Sequence, residues 1–222
     1  MTHKILITAL AVLFLTQLFG QNKNETKLEH YKQLVAILDT VHREDQEYRE
    51  KSSTIEKEYG WDSNEMNDLW KTINEKDSIN LLKVTKILDN DGWLGADKIG
   101  EAGNKTLFLV IQHSNTQTQL KYLPMLQNAV MQGNAKPNYL ALLQDRVLLA
   151  QGEKQIYGSQ LETDVKTGKY VLSPMIDPDN VDKRRAQVGL QPISEYLKLW
   201  NLTWNVEEFK KRMSEIEIKK EK

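Results

Sequence analysis

An acid and a base stand side by side at Asp145-Arg146, inside a stretch that is largely apolar: Leu140, Leu142, Leu143, Val147, Leu148 and Leu149. A charge in such surroundings must be paired or used, because burying it alone is costly. Shortly after comes Gln155-Ile156-Tyr157-Gly158-Ser159-Gln160, two amides, a phenol and a hydroxyl where a plain strand would carry apolar side chains. Read as a strand, this segment places Gln155, Tyr157 and Ser159 on one face and Ile156, Gly158 and Gln160 on the other. His113, after the apolar run Leu107–Ile111 and next to Gln112, is the third chemical element. Histidine titrates near neutrality and serves as general base or metal ligand.

Together these residues sketch an acid–base site. His113 would act as general base, Asp145 as the acid that orients it, and Arg146 or Arg185 as an anion clamp. Gln112, Gln155, Tyr157 and Gln160 would hold a ligand by hydrogen bonds, with Trp93 as a pocket wall. Each residue also has a plainer role: Asp145-Arg146 as an ion pair that fixes helix register, His113 as a capping histidine, Arg184-Arg185 as a solvated basic face. Asp45 and Arg49 form an i,i+4 pair that belongs on a solvated helix face or at a ligand.

Other chemistries lack their signatures. There is no cysteine, so neither a thiol nucleophile nor a disulfide is available. After the leader only His30, His42 and His113 remain, and no two have metal-ligand spacing. Asp89-Asn90-Asp91-Gly92 does not place oxygens as a calcium loop does. Nucleophile-elbow, Walker and dinucleotide patterns are absent, and neither Ser114 nor Ser159 sits in a triad context. No cofactor or metal is implied. The net charge of −1, which becomes −2 once Lys4 is removed, gives no electrostatic case for nucleic-acid binding.

The elements that must position these residues are mostly helical. Residues 1–20 carry Lys4, an apolar run from Ile5 to Phe19 and then Gly20, the layout of a secretory signal peptide with cleavage after Gly20. The apolar run is shorter than the ~20 residues that span a bilayer. Residues 21–222 are expected to form a single mostly helical domain, its core at about 30–200. A first helix is expected at 26–59, with a restart at the Ser53/Glu56 capping box. A second covers 63–90 with a break at 74–78. Lys98 to Ala102 reads as one helical turn, and Leu107–Ile111 as a buried helix. Thr116 and Gln119 read as a capping box, with Pro124 in the first turn of a helix that runs to Gln132. Pro137 opens the next helix and Gly152 stops it. Residues 154–162 and 169–175 read as a β-hairpin joined through Lys166-Thr167-Gly168-Lys169. Helices follow at 180–188, 192–199 and 205–222.

Gly92-Trp93, Gln112-His113, Asp145-Arg146, Gln155–Gln160 and Val181-Asp182-x-x-Arg185-x-x-x-Gly189-Leu190, in this order, resemble an uncharacterised bacterial family catalogued only as a domain of unknown function. Asp45-Gln46-x-x-Arg49 resembles its N-terminal helix. Ser159 stands where the family pattern has threonine, which keeps the hydroxyl. The likeness covers about residues 30–197. It implies a bacterial source and a Gram-negative envelope, and no activity.

Three functions fit. The favoured one is an exported, periplasmic or secreted, non-catalytic module that binds a small molecule, a peptide or an envelope protein. The alternatives are a hydrolase with His113 as general base, and a purely structural buried network. Nucleic acid is not an expected partner, and no membrane span is expected after the leader.

Overall fold

The computed structural model describes the backbone of residues 2–164 and 167–220 and the side chains of 25–164 and 167–216. The expected leader, with its cleavage after Gly20, lies outside the residues whose side chains are described, and Lys166 of the hairpin tip lies outside the described residues altogether. The chain is mainly helical, with a two-stranded antiparallel hairpin in its C-terminal half. It divides into two compact units, Met1–Ile87 with Ala96–Thr106, and Leu88–Gly95 with Leu107–Lys222.

The first unit contains α1 (Thr2–Tyr59), α2 (Asn64–Asp91, to Ile87) and the first part of α3 (Ala96–His113). Gly60 ends α1, its N–H reaching the Glu56 carbonyl at 2.9 Å, and the Ser63 hydroxyl caps α2 by accepting from the Met66 N–H at 3.1 Å. The restart expected in α1 and the break expected in α2 are both absent. Ser52, just before the expected restart, and Ser78, at the end of the expected break, bond back to the carbonyls of Arg49 and Asn74 inside continuous helices. Met66, Leu69 and Ile73 form an apolar cluster with Tyr48, Ile55 and Trp70. Gly103 of α3 lies against Leu38 of α1, where an added Cβ would stand 3.2 Å from the Leu38 Cδ1.

The second unit holds the rest of α3, α4 (Thr116–Met131), α5 (Pro137–Ala150), β1 (Leu161–Thr163), β2 (Tyr170–Leu172), a 3-10 turn at Pro178–Asn180, α6 (Val181–Gln187), α7 (Ile193–Lys198) and α8 (Val206–Lys220). Leu107–Ile111 is helical and buried, as its surroundings suggested. Phe108 stacks on Tyr139 of α5, ring centroids 4.5 Å apart. Leu172, Met175, Val181, Ile193, Leu197 and Phe209 make a core that joins the hairpin to α6, α7 and α8.

Two boundaries differ from the sequence reading. Asn115, not Thr116, caps α4, accepting from the Thr118 N–H at 2.9 Å. Gln119 instead turns inward and donates to the carbonyls of Gln112 and Ser114. Pro124 lies inside α4, not in its first turn. It is exposed, so the helix loses one N–H on its wet side, where water can serve the freed carbonyl.

Within α3, Gly100 adopts φ 71°, ψ 166° and interrupts the helix between its two parts. That backbone region is open essentially to glycine alone, and a Cβ there would meet nothing within 4 Å. Gly100→Ala is therefore expected to lower stability by about 1–3 kcal/mol through backbone strain only, read by urea or thermal unfolding; an unchanged midpoint would contradict this.

Candidate functional site

Residues 154–160 are not a strand. The hairpin proper spans Leu161–Thr163 and Tyr170–Leu172, and Gln155 makes one parallel bridge to Met175. Between them the chain forms a tight loop over the C-terminal half of α5. The predicted sharing of faces by Gln155, Tyr157 and Ser159 is replaced by a convergence of backbone groups.

Asp145 lies on the buried face of α5 and is 0% exposed. Its Oδ1 accepts from the N–H groups of Ile156 at 2.7 Å and Tyr157 at 3.0 Å. Its Oδ2 accepts from Tyr157 at 3.2 Å and Ser159 at 3.0 Å. Burial pushes the carboxyl above the ordinary aspartate range, and these N–H groups, with the Ser159 side chain, pull against that. Both oxygens are filled by the loop, so Asp145 has no lone pair left to orient His113.

The carbonyls of the same loop are held from the other side. Arg184 Nε donates to the Ile156 carbonyl at 2.9 Å, and Arg185 donates from one NH2 group to those of Tyr157 at 2.7 Å and Gly158 at 3.3 Å. The Tyr196 hydroxyl donates to the Ser159 carbonyl at 2.7 Å. The Arg185 guanidinium is 2% exposed, also reaches the Gln191 carbonyl, and lies 5.2 Å from the Tyr196 ring centroid. Burial lowers its pKa from the ordinary value. Arg185, one of the two expected anion clamps, thus binds peptide oxygens, and so does Arg184, which also pairs with Asp177 at 3.0 Å.

Gln155 closes the loop on itself. Its amide donates to the carbonyls of Gln160 and Ser173 and accepts from the Gln160 N–H at 2.9 Å. Gly158 is required twice: its φ is +66°, and a Cβ there would stand 2.7 Å from Ile193 Cδ1 and 3.0 Å from Met175 Sδ. Tyr157 is half-buried, and burial with the nearby Asp145 charge raises its phenol pKa.

The remaining expected site residues fall elsewhere. Arg146 and Gln160 line an open cleft of about 700 Å³, together with Lys154 and Ser173, over an apolar wall that includes Leu149, Met213 and Ile216. His113 ends α3 and is half-buried. Gln112 and Trp93 are buried, and the Gln112 Oε1 and Trp93 Nε1 have no hydrogen-bond partner among the described residues.

Asp45 and Arg49 belong to the first unit, and their pair is not a solvated one. Asp45 is 1% exposed, accepts from Gln46 at 2.6 Å and pairs with Arg49 at 3.3 Å. Arg49 also grips Asp77 of α2 at 2.6 Å. Beside them Glu44 bridges Lys76 and Lys83, and the hydrogen bond from Lys76 is the main influence that holds its carboxyl below the ordinary range. Sequence reasoning missed Asp77, Arg184's part in the loop and Tyr196; the Arg184-Arg185 doublet was the only local signal.

Among the described residues no group of three His, Cys, Asp or Glu side chains could hold a metal ion, and no helix is long and apolar enough to cross a membrane. A family model described as a family of unknown function, DUF6624, matches residues 32–207. No curated protein and no solved structure matches the chain.

Asp145→Asn keeps the side-chain shape but turns one accepting oxygen into a donor facing N–H groups. We expect a loss of about 3–5 kcal/mol in urea unfolding, the sum of weakened charged hydrogen bonds and stranded buried donors. A loss under about 1 kcal/mol would show that the loop does not depend on the carboxylate.

Proposed function

The chain belongs to DUF6624, a family of unknown function, and we propose that it is a non-catalytic binding module exported to the envelope of a Gram-negative cell. The observation that carries this reading is the division of labour around α5. Of the candidate site residues, Asp145 and Arg185 are taken up by the chain's own backbone. Arg146, Lys154 and Gln160 line a cleft with an apolar wall. Its volume falls within the roughly 300–1,000 Å³ of small-ligand sites, and a few polar groups set in an apolar surround give orientation without chemistry. Export rests on the charged-then-apolar layout of residues 1–20.

A ligand-stabilisation screen of the purified protein against envelope peptides, muropeptides and nucleotides tests the reading. A ligand at a hundred times its Kd stabilises the folded state by about 2.7 kcal/mol. We expect a hit whose effect is lost in Arg146→Glu and kept in His113→Ala. Turnover of the hit by the wild type, abolished in His113→Ala while binding persists, would overturn the non-catalytic reading in favour of a hydrolase.

A further inference from the structure

The turn after α7 and the start of α8 enclose a second cavity. The turn closes at Asn201, a non-glycine residue in the left-handed region at φ 56°, and the Leu202 N–H returns to the Leu197 carbonyl at 3.0 Å. This reversal sets Leu197 and Leu202 on one wall. Asn205 then caps α8, its Oδ1 accepting from the N–H groups of Glu207 at 3.0 Å and Glu208 at 3.2 Å. Between this segment and β2 lies an apolar cavity of about 200 Å³, bordered by Tyr170, Leu197, Leu202, Trp204 and Phe209. The rings of Trp204 and Phe209 meet at 5.5 Å, and the exposed Tyr170 stands edge-on to Trp200 at 5.3 Å. The cavity shares no lining residue with the cleft beside α5: Phe209 and Arg212 of α8 border the one, Met213 and Ile216 the other.

Two charges border this cavity, Glu208 and Arg212. They stand four residues apart on α8, the spacing and order that favour a Glu–Arg pair. Yet among the described residues neither makes an ion pair. Arg212 turns instead to the Leu172 carbonyl, to which one NH2 group donates, with its guanidinium 5.5 Å from the Phe209 ring centroid. A guanidinium has five N–H donors, and that contact leaves Nε and the other NH2 group without a partner among the described residues. Arg212 is half-buried, and burial lowers its pKa, while Glu162 and Asp164 act the other way from beyond ion-pairing distance.

The geometry points to a site for a free α-amino acid with an apolar side chain: carboxylate on Arg212, ammonium on Glu208, side chain among the aromatic rings. Volume decides the size. A cavity of roughly 150 Å³ lined by Leu, Ile and Phe holds benzene, so one of about 200 Å³ takes a single ring or branched side chain. Charge decides the class. A simple carboxylate would meet three acids, Glu162, Asp164 and Glu208, around one guanidinium. A zwitterion adds no net charge and offers each of the two bordering charges its complement. The partly desolvated guanidinium is the stronger anchor, because charge-assisted hydrogen bonds gain where water is excluded. This site is additional to the cleft beside α5 and does not rest on the binding reading of that cleft.

Calorimetric titration of the full chain with L-phenylalanine and L-leucine tests the site. We expect at least one of them to bind. N-acetyl-L-phenylalanine and L-phenylalaninamide each lose one charge-assisted contact and are expected to bind about tenfold more weakly than phenylalanine. Glycine, with no side chain to bury, is expected not to bind. Glu208→Gln is expected to weaken the bound amino acid about tenfold and to leave the fold intact, because Glu208 is exposed. Arg212→Gln is expected to erase the preference for the free acid over the amide. Should that variant unfold with the Leu172 carbonyl left bare, phenylalaninamide puts the same question from the ligand side. Binding of neither amino acid at millimolar concentration overturns the site. Equal binding of the N-acetyl form removes the role of Glu208, and equal binding of the amide that of Arg212; either result overturns the zwitterion. Binding lost in Arg146→Glu and undiminished in Glu208→Gln would put the amino acid in the cleft beside α5, which overturns this site and leaves the binding reading of the cleft standing.

Discussion

The carboxylate of Asp145 is the constraint on which the second unit depends. An irregular loop packed against a helix cannot leave its peptide groups dry and unpaired, and the segment Gln155–Gln160 has no ladder to serve them. Asp145 takes N–H groups from one side, while Arg184, Arg185 and Tyr196 take carbonyls from the other. The loop is thereby held between α5, which supplies the acid, and α6 and α7, which supply the donors. That clamp sets where β1 begins, and hence where the hairpin meets the cleft.

Much of the fold was legible because its boundaries are written in short-range chemistry. Gly60, Gly133 and Gly152 end helices and Pro137 begins one, each for reasons of backbone conformation alone. The oddity of Asp145-Arg146 was legible too, since charges on an apolar helix demand partners. What those partners were was not. Alternating polar and apolar residues at 155–160 are what a strand would show. A loop bound through its backbone imposes no side-chain period, so the alternation misled. The partners of the loop lie about 28 residues further along the chain, beyond the reach of any local pattern.

The same limit applies to the first unit. An Asp45/Arg49 pair at i,i+4 looks alike on a wet face and in a buried one. Asp77, arriving from α2, makes the cluster a tertiary one. Pro124 illustrates the converse: a residue that locally signals a helix start is tolerated in mid-helix where the freed carbonyl faces water. In each case the sequence carried the local preference, and packing against a distant element decided the outcome.

Amide hydrogen exchange at Ile156, Tyr157 and Ser159 tests the central claim most directly. If the Asp145 carboxylate clamps the loop into the core, these amides exchange together and as slowly as those of Leu143 and Val147 in α5, because all are released only by the same cooperative opening. Exchange of the three at the rate of the outward-facing Thr163 amide, with α5 still protected, would contradict the account.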